Sequence, residues 1–266
     1  MASTITLLSD FGSQDGYSAA IIGRLLKEAP QAQLIEVSHD ITPQDVWQAA
    51  LALRRYAHQY PDNTLHMVVV DPGVGSQRQA LALHCDNKHW LIGPDNGVLS
   101  LAASDYKSVT AYAIKPSTPW WNKHSSFDGL ALFTPAAVQL SRQEIPLEQL
   151  LDPIMQYHQL NYPSAELIGE QLMGQIVGFD RFGNALTNIT RADLPSHREL
   201  TVYCGHFAFP LAAFYCAAPA HGRVALINSD NQLELAVYQG SAKHEHQLEV
   251  GDHVSLSLAL TAANNG

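Results

Sequence analysis

Leu65-His66-Met67-Val68-Val69-Val70, followed at once by Asp71-Pro72-Gly73-Val74-Gly75-Ser76-Gln77-Arg78, is the stretch that sorts the fold class. A continuous valine-rich run without alternation describes a strand buried on both faces, the habit of a parallel sheet between layers of helices. The polar loop that closes it lies at the carboxyl end of the strand, where open α/β sheets bind their ligands. The flanks agree. Residues 5–8 form a short apolar run, and residues 17–29 repeat Tyr17, Ile21, Leu25 and Ala29 at helical spacing. Residues 34–37 read as a strand. Thr42-Pro43 with Asp45 predicts a helix start capped by the threonine hydroxyl, with Val46, Ala50, Leu53 and Ala57 along one face. Residues 80–85 and 89–92 predict a hairpin around Asp86-Asn87, residues 107–114 a further strand, and residues 130–140 a further helix.

The texture changes after Ser141. Residues 142–165 are polar and punctuated by Pro146, Pro153 and Pro163, which suggests a linker over the surface. Short alternating strands follow, at residues 174–179, 199–203, 223–228, 233–238 and 253–260. Their spacing predicts a small barrel or sandwich. The expected fold class is therefore an α/β amino-terminal domain, residues 1–150, and an all-β carboxyl-terminal barrel, residues 171–266, joined by a linker at 151–170.

Composition bounds the function. Of 266 residues, 46% are hydrophobic and 15% charged, enough apolar material for sizeable cores. The formal charge of −10 repels phosphate backbones and argues against nucleic acid as a partner. No window is apolar enough for a membrane span, and the amino end lacks a basic region ahead of an apolar one, so a cytoplasmic location is expected. Cys85, Cys204 and Cys216 sit in apolar runs and read as reduced core thiols. Thirteen histidines without ligand spacing predict no metal, His244-Glu245-His246 included. Asp10-Phe11-Gly12 lacks every other part of a kinase, and Gly73-Val74-Gly75 lacks the third glycine of a dinucleotide loop.

Three polar loops share the predicted carboxyl edge: Ser9-Asp10-Phe11-Gly12, the loop from Asp71 to Arg78, and Pro94-Asp95-Asn96-Gly97. Any one of them is explained by turn chemistry; three on one edge point to a site. In the second half Asp180-Arg181-Phe182-Gly183-Asn184, then Thr187-Asn188-Ile189, is too polar for an ordinary barrel strand.

These motifs, with His39-Asp40-Ile41-Thr42-Pro43 and Ile227-Asn228-Ser229, occur in the order of one family. The chain resembles the S-adenosyl-L-methionine hydroxide adenosyltransferases, relatives of the fluorinating and chlorinating adenosyltransferases, over nearly its whole length. The resemblance implies a seven-stranded α/β domain, a carboxyl-terminal barrel, and a homotrimer with sites between the amino domain of one subunit and the barrel of the next. It implies hydrolysis of S-adenosyl-L-methionine to adenosine and methionine, without a cofactor. Asp10 would hold the ribose diol, and Phe11, Asp95 and Asn96 would line the substrate. Asp180 and Asn184 would grip the methionine amino and carboxylate groups, Ser229 would assist, and Tyr215 would stack on adenine. Asp71 and Arg78 match two members of a water-activating Asp-Arg-His set. The halogenating relatives have tyrosine in place of Asp71, whose charge here disfavours a halide.

The chain departs from the family at Phe127-Asp128-Gly129-Leu130-Ala131, where Phe-His-Gly-Arg-Asp is usual. Asp128 takes the place of the histidine, with His124 four residues upstream as another candidate. Ser229-Asp230 also brings an acid to the methionine end. Two alternatives to a hydrolase follow: a protein that binds S-adenosyl-L-methionine or adenosine with impaired turnover, and an adenosyltransferase with a different nucleophile.

Overall fold

The computed structural model describes residues 4–115, 125–195 and 200–258. They form two compact units that divide between Asn161 and Tyr162. His124, Glu199 and residues 259–260, which enter the sequence expectations, lie outside the described residues.

The first unit runs β1 (Thr4–Ser9), α1 (Tyr17–Glu28), β2 (Gln33–Ser38), α2 (Val46–Ala57), β3 (Leu65–Val69), β4 (Ala80–Cys85), β5 (His89–Pro94), α3 (Ser100–Ala103) and β6 (Val109–Ile114). A π-helical turn (Gly129–Phe133) then runs directly into α4 (Thr134–Arg142), followed by α5 (Leu147–Leu150) and β7 (Leu151–Pro153). Seven strands lie in the order β2-β1-β3-β5-β4-β6-β7. The pairs β1–β2, β1–β3 and β3–β5 are parallel, and β4 pairs antiparallel with both β5 and β6. This is the expected seven-stranded α/β sheet, mixed rather than wholly parallel.

Both faces are covered, as the valine-rich run requires. Ile5, Leu7, Met67, Val69 and Ile92 pack with α1, the π turn and α4, whereas Leu8, Val68, Val70, Leu83 and Leu91 pack with α2 and α3. The carboxyl ends of β1, β3 and β5 share one edge. Because β4 runs the other way, Ala80 sits opposite Pro94 and Arg78 falls on that same edge.

Three local expectations are corrected. The cap of α2 is Asp45, whose carboxylate accepts the Gln48 N–H at 2.8 Å; Thr42 precedes a turn in which Gln44 has φ +68°. The helix expected at 130–140 opens as a π turn. Pro135 has no N–H for the Ala131 carbonyl, so the regular ladder cannot continue. The Thr134 hydroxyl bonds the Gly129 carbonyl at 2.7 Å and Arg24 takes the Leu130 carbonyl at 2.8 Å. Finally, Leu151–Pro153 pairs with β6 as an edge strand of the sheet.

The second unit comprises β8 (Glu166–Ile168), β9 (Gln171–Phe179), β10 (Ala185–Thr190), β11 (Thr201–Cys204), β12 (Phe207–Pro210), β13 (Arg223–Ile227), β14 (Gln232–Val237), the short helix Ala242–His246 and β15 (His253–Ser257). The antiparallel order is β12-β11-β15-β9-β10-β14-β13, with β8 on β9. A bridge from Leu211 to Ala225, just beyond β12, brings the sheet almost to closure. Alternate residues such as Leu233, Leu235, Val237, Val254 and Leu256 fill the interior.

The segment whose polarity argues against an ordinary strand is β10, in the middle of this sheet. Its polar groups are buried but satisfied: Thr187 donates to the Leu233 carbonyl at 2.8 Å, and Asn188 accepts the Gln175 N–H at 2.7 Å. Cys85 and Cys204 are buried, and burial pushes their thiols up to about 12 and about 11. Cys216 is exposed, contrary to its reading as a core thiol, because it sits in a 3-10 turn (Tyr215–Ala217) outside the strands. Among the described residues no helix is long and apolar enough to cross a membrane.

Candidate active site

The carboxyl edge of the first unit carries the cluster that the sequence singles out. After β3 the chain turns through Asp71-Pro72-Gly73-Val74-Gly75, with Gly75 at φ +80°, and returns as Arg78 just before β4. The Arg78 Nε lies 3.1 and 2.9 Å from the two oxygens of Asp71, and Nη2 donates to Asp71 Oδ2 as well. Nη2 also reaches Asp128 Oδ2 at 2.6 Å. Phe133 lies beneath the guanidinium, 5.4 Å from ring centroid to Cζ. Burial works against the charge on Arg78, but the hydrogen bonds and charges of Asp71 and then Asp128 outweigh it and hold its pKa above the ordinary arginine value. Side-chain exposures of 11% for Arg78, 6% for Asp71 and 14% for Asp128 make this a partly desolvated group with two carboxylates on one cation.

Asp128 is placed by the π turn that it precedes. Phe127, next to it, packs edge-on against Phe11 at 5.1 Å and Tyr17 at 4.9 Å. A Cβ at Gly129 would lie 2.8 Å from Phe127 and 3.1 Å from Phe11, so only glycine lets these rings close over the turn.

Asp10 lies beyond the end of β1, half-buried, and its Oδ2 accepts the Gln44 N–H at 2.8 Å. The two loops around it are stitched together. Ser9 Oγ and His39 Nδ1 are 2.7 Å apart, Gly12 donates to the His39 carbonyl at 2.8 Å, and Ile41 donates to the Ser9 carbonyl at 3.3 Å. Burial lowers the His39 pKa despite Glu36 and Asp40. The His39 motif is thus a clamp on the Asp10 loop. Asp95 and Asn96 are committed to backbone: Asp95 accepts the His158 N–H at 2.7 Å, and Asn96 donates to the Val70 carbonyl at 2.9 Å.

The second unit carries its own polar cluster. Asp180 closes a turn, taking the N–H groups of Phe182 and Asn184 at 2.9 and 2.8 Å and the Asn184 side-chain amide at 2.9 Å. Gly183, at φ +82°, would carry a Cβ only 2.0 Å from the Ser241 hydroxyl. Tyr215 donates its hydroxyl to Glu234 Oε1 at 2.6 Å, and its own proton is held more tightly than usual by burial, by Glu234 and by the charge of Asp180. Asn228 reaches Glu234 Oε2 at 3.3 Å and shapes the turn that exposes Ser229. Glu234 is absent from the sequence expectations. It is 3% exposed, on the face of β14 opposite Leu233, Leu235 and Val237. A lone carboxylate inside the apolar stretch Leu233-Glu234-Leu235-Ala236-Val237 is its signal.

The fold and site define a two-domain protein, a mixed α/β unit with a carboxylate–guanidinium cluster on the carboxyl edge of its strands followed by a nearly closed antiparallel barrel with a polar turn cluster. The chain belongs to the SAM hydroxide adenosyltransferase family: the family's amino-terminal domain matches residues 5–151 and its carboxyl-terminal domain residues 174–255. It is 32% identical to an (R)-S-adenosyl-L-methionine hydrolase of Thermus thermophilus, over 95% of this chain and 98% of that protein. A protein of the same description from Salinispora arenicola is 33% identical, over 97% and 99%. A conserved protein of Thermotoga maritima has a similar crystal structure, with TM-score 0.85 at 27% identity over 95% of this chain and 99% of that one.

Proposed function

We propose that this protein hydrolyses S-adenosyl-L-methionine to adenosine and L-methionine, with water attacking C5′ of the ribose. The observation that carries the reading is the Asp71–Arg78–Asp128 cluster on the carboxyl edge, beside the Asp10 loop, in a chain related throughout to hydrolases of that substrate. A sulfonium leaves as a neutral thioether, so the reaction needs no general acid. The protein has to orient the substrate, exclude bulk water and present one activated water molecule. A positioned base is worth roughly 10²–10⁴-fold.

In this reading Asp10 takes the ribose hydroxyls, since one of its oxygens is fixed by Gln44 and the other has no hydrogen bond among the described residues. Asp180, Asn184 and Ser229 recognise the methionine end, and Tyr215 stacks on adenine. The negative charge of Asp71 and Asp128 disfavours a halide nucleophile. No cofactor beyond the substrate enters the scheme. A cytoplasmic homotrimer completes it, and sedimentation velocity tests the assembly.

Incubation with S-adenosyl-L-methionine, with and without halide, tests the reaction. Free adenosine in equal yield under both conditions is expected. Asp128 in place of the family's histidine favours a second reading, a binding protein with impaired turnover; tight calorimetric binding without adenosine release would select it.

A further inference from the structure

The two carboxylates on Arg78 are not equivalent. Asp71 gives both oxygens to the guanidinium fork, where charge-assisted bonds are strong and direction-specific. Asp128 gives only Oδ2, and its Oδ1 has no hydrogen bond among the described residues. A cavity of about 630 Å³ in the first unit has a largely apolar wall, with Ile114, Leu132 and Ile154, that carries the polar groups of Arg78, Asp128 and Ser126, and Asp71 is not part of that wall. It is roomy enough for water, and Arg78 and Asp128 in its wall offer a water the hydrogen-bond partners it needs. Arg78 Nη1 likewise makes no hydrogen bond among the described residues, and Arg78 lines the same cavity as Asp128.

We propose that Asp128, and not Asp71, is the catalytic base of this protein, and that the cavity on its side supplies the nucleophilic water. This rests on the hydrolysis reading above. The water oxygen forms the bond to C5′ while the C5′–S bond breaks, its electron pair passing to sulfur to give neutral methionine. The water's proton goes to Asp128 Oδ1 and from there to water in the cavity. Protonating Asp71 would disrupt the bidentate pair that fixes Arg78, whereas protonating Asp128 Oδ1 leaves every existing hydrogen bond in place. Asp71 is then a positioning residue that sets the plane of the guanidinium.

The experiment compares wild type, Asp128→Asn, Asp128→Ala and Asp71→Ala by single-turnover rate, calorimetric Kd for S-adenosyl-L-methionine, and rescue by added formate. Asp128→Asn should lower the rate roughly 10²–10⁴-fold with Kd nearly unchanged. Formate, entering from the cavity, should restore turnover to Asp128→Ala at least tenfold and leave Asp71→Ala unrescued. Adenosine release that survives Asp128→Asn, or rescue confined to Asp71→Ala, overturns the assignment of the base alone. A wild type that binds the sulfonium and releases no adenosine overturns the hydrolysis reading, and this assignment with it.

Discussion

Glu234 illustrates what one side chain does in the barrel cluster. A carboxylate almost fully buried on a strand needs partners, and the Tyr215 hydroxyl at 2.6 Å and the Asn228 amide at 3.3 Å provide hydrogen bonds to both its oxygens. Through them it fixes the ring read as the adenine platform and the turn that carries Ser229. The two residues should therefore act as a unit. Glu234→Gln and Tyr215→Phe are each expected to weaken nucleoside binding, with a coupling of about 1–2 kcal/mol in a double-mutant cycle. Additive effects in calorimetry would show that the contact does not support binding. The His39–Ser9 pair does comparable work in the first unit, where it holds the loop of Asp10.

At the scale of elements, the π turn governs the site. Gly129 lies against two aromatic rings, so Gly129→Ala forces Phe11 and Phe127 apart and carries Asp128 with them. Overpacking of this kind costs about 1–3 kcal/mol, and the variant should lose turnover more than it loses thermal stability. A variant with wild-type turnover would show that the turn does not set Asp128. That turn also marks the limit of what can be read from sequence. Residues 65–70 announce a strand buried on both faces, the Asp86-Asn87 turn announces its hairpin, and the polar loops announce the edge that holds Asp10, Asp71 and Arg78. Each of those signals is local. The π turn depends on Thr134 and Pro135, which follow it, acting together with Arg24 of α1, 106 residues from Leu130. The strand β10 escapes a count of polarity made without its partners, and Leu233 and Gln175 can be known as partners only after the sheet has formed. Glu234 escapes notice because an apolar strand hides a single charge, and the free oxygen of Asp128 is a property of geometry alone.

On the scale of the whole molecule, the same valine-rich strand contains a liability. His66 is fully buried, its Nδ1 2.8 Å from Thr6 Oγ1, and burial, with His89 and His58 adding to it, lowers its pKa to about 3. In the unfolded chain it titrates near 6.5. Above pH 6.5 both states are neutral and His66 adds no pH dependence. Below it the unfolded state takes up the proton first, so stability falls as pH falls, by up to about 1.4 kcal/mol per pH unit until the folded pKa is reached. Urea unfolding of the first unit should show a loss of about 2 kcal/mol from this residue between pH 7 and pH 5, and His66→Gln should flatten the curve by that amount. An unchanged slope would mean that His66 is protonated in the folded state.

The central claim is that water is the nucleophile at C5′. It is tested most directly by running the reaction in water labelled with oxygen-18 and weighing the products. The account predicts adenosine carrying one heavy oxygen at the 5′ position, in equal amount to unlabelled methionine. Adenosine without label, a 5′ adduct of another nucleophile, or intact S-adenosyl-L-methionine after prolonged incubation would contradict it.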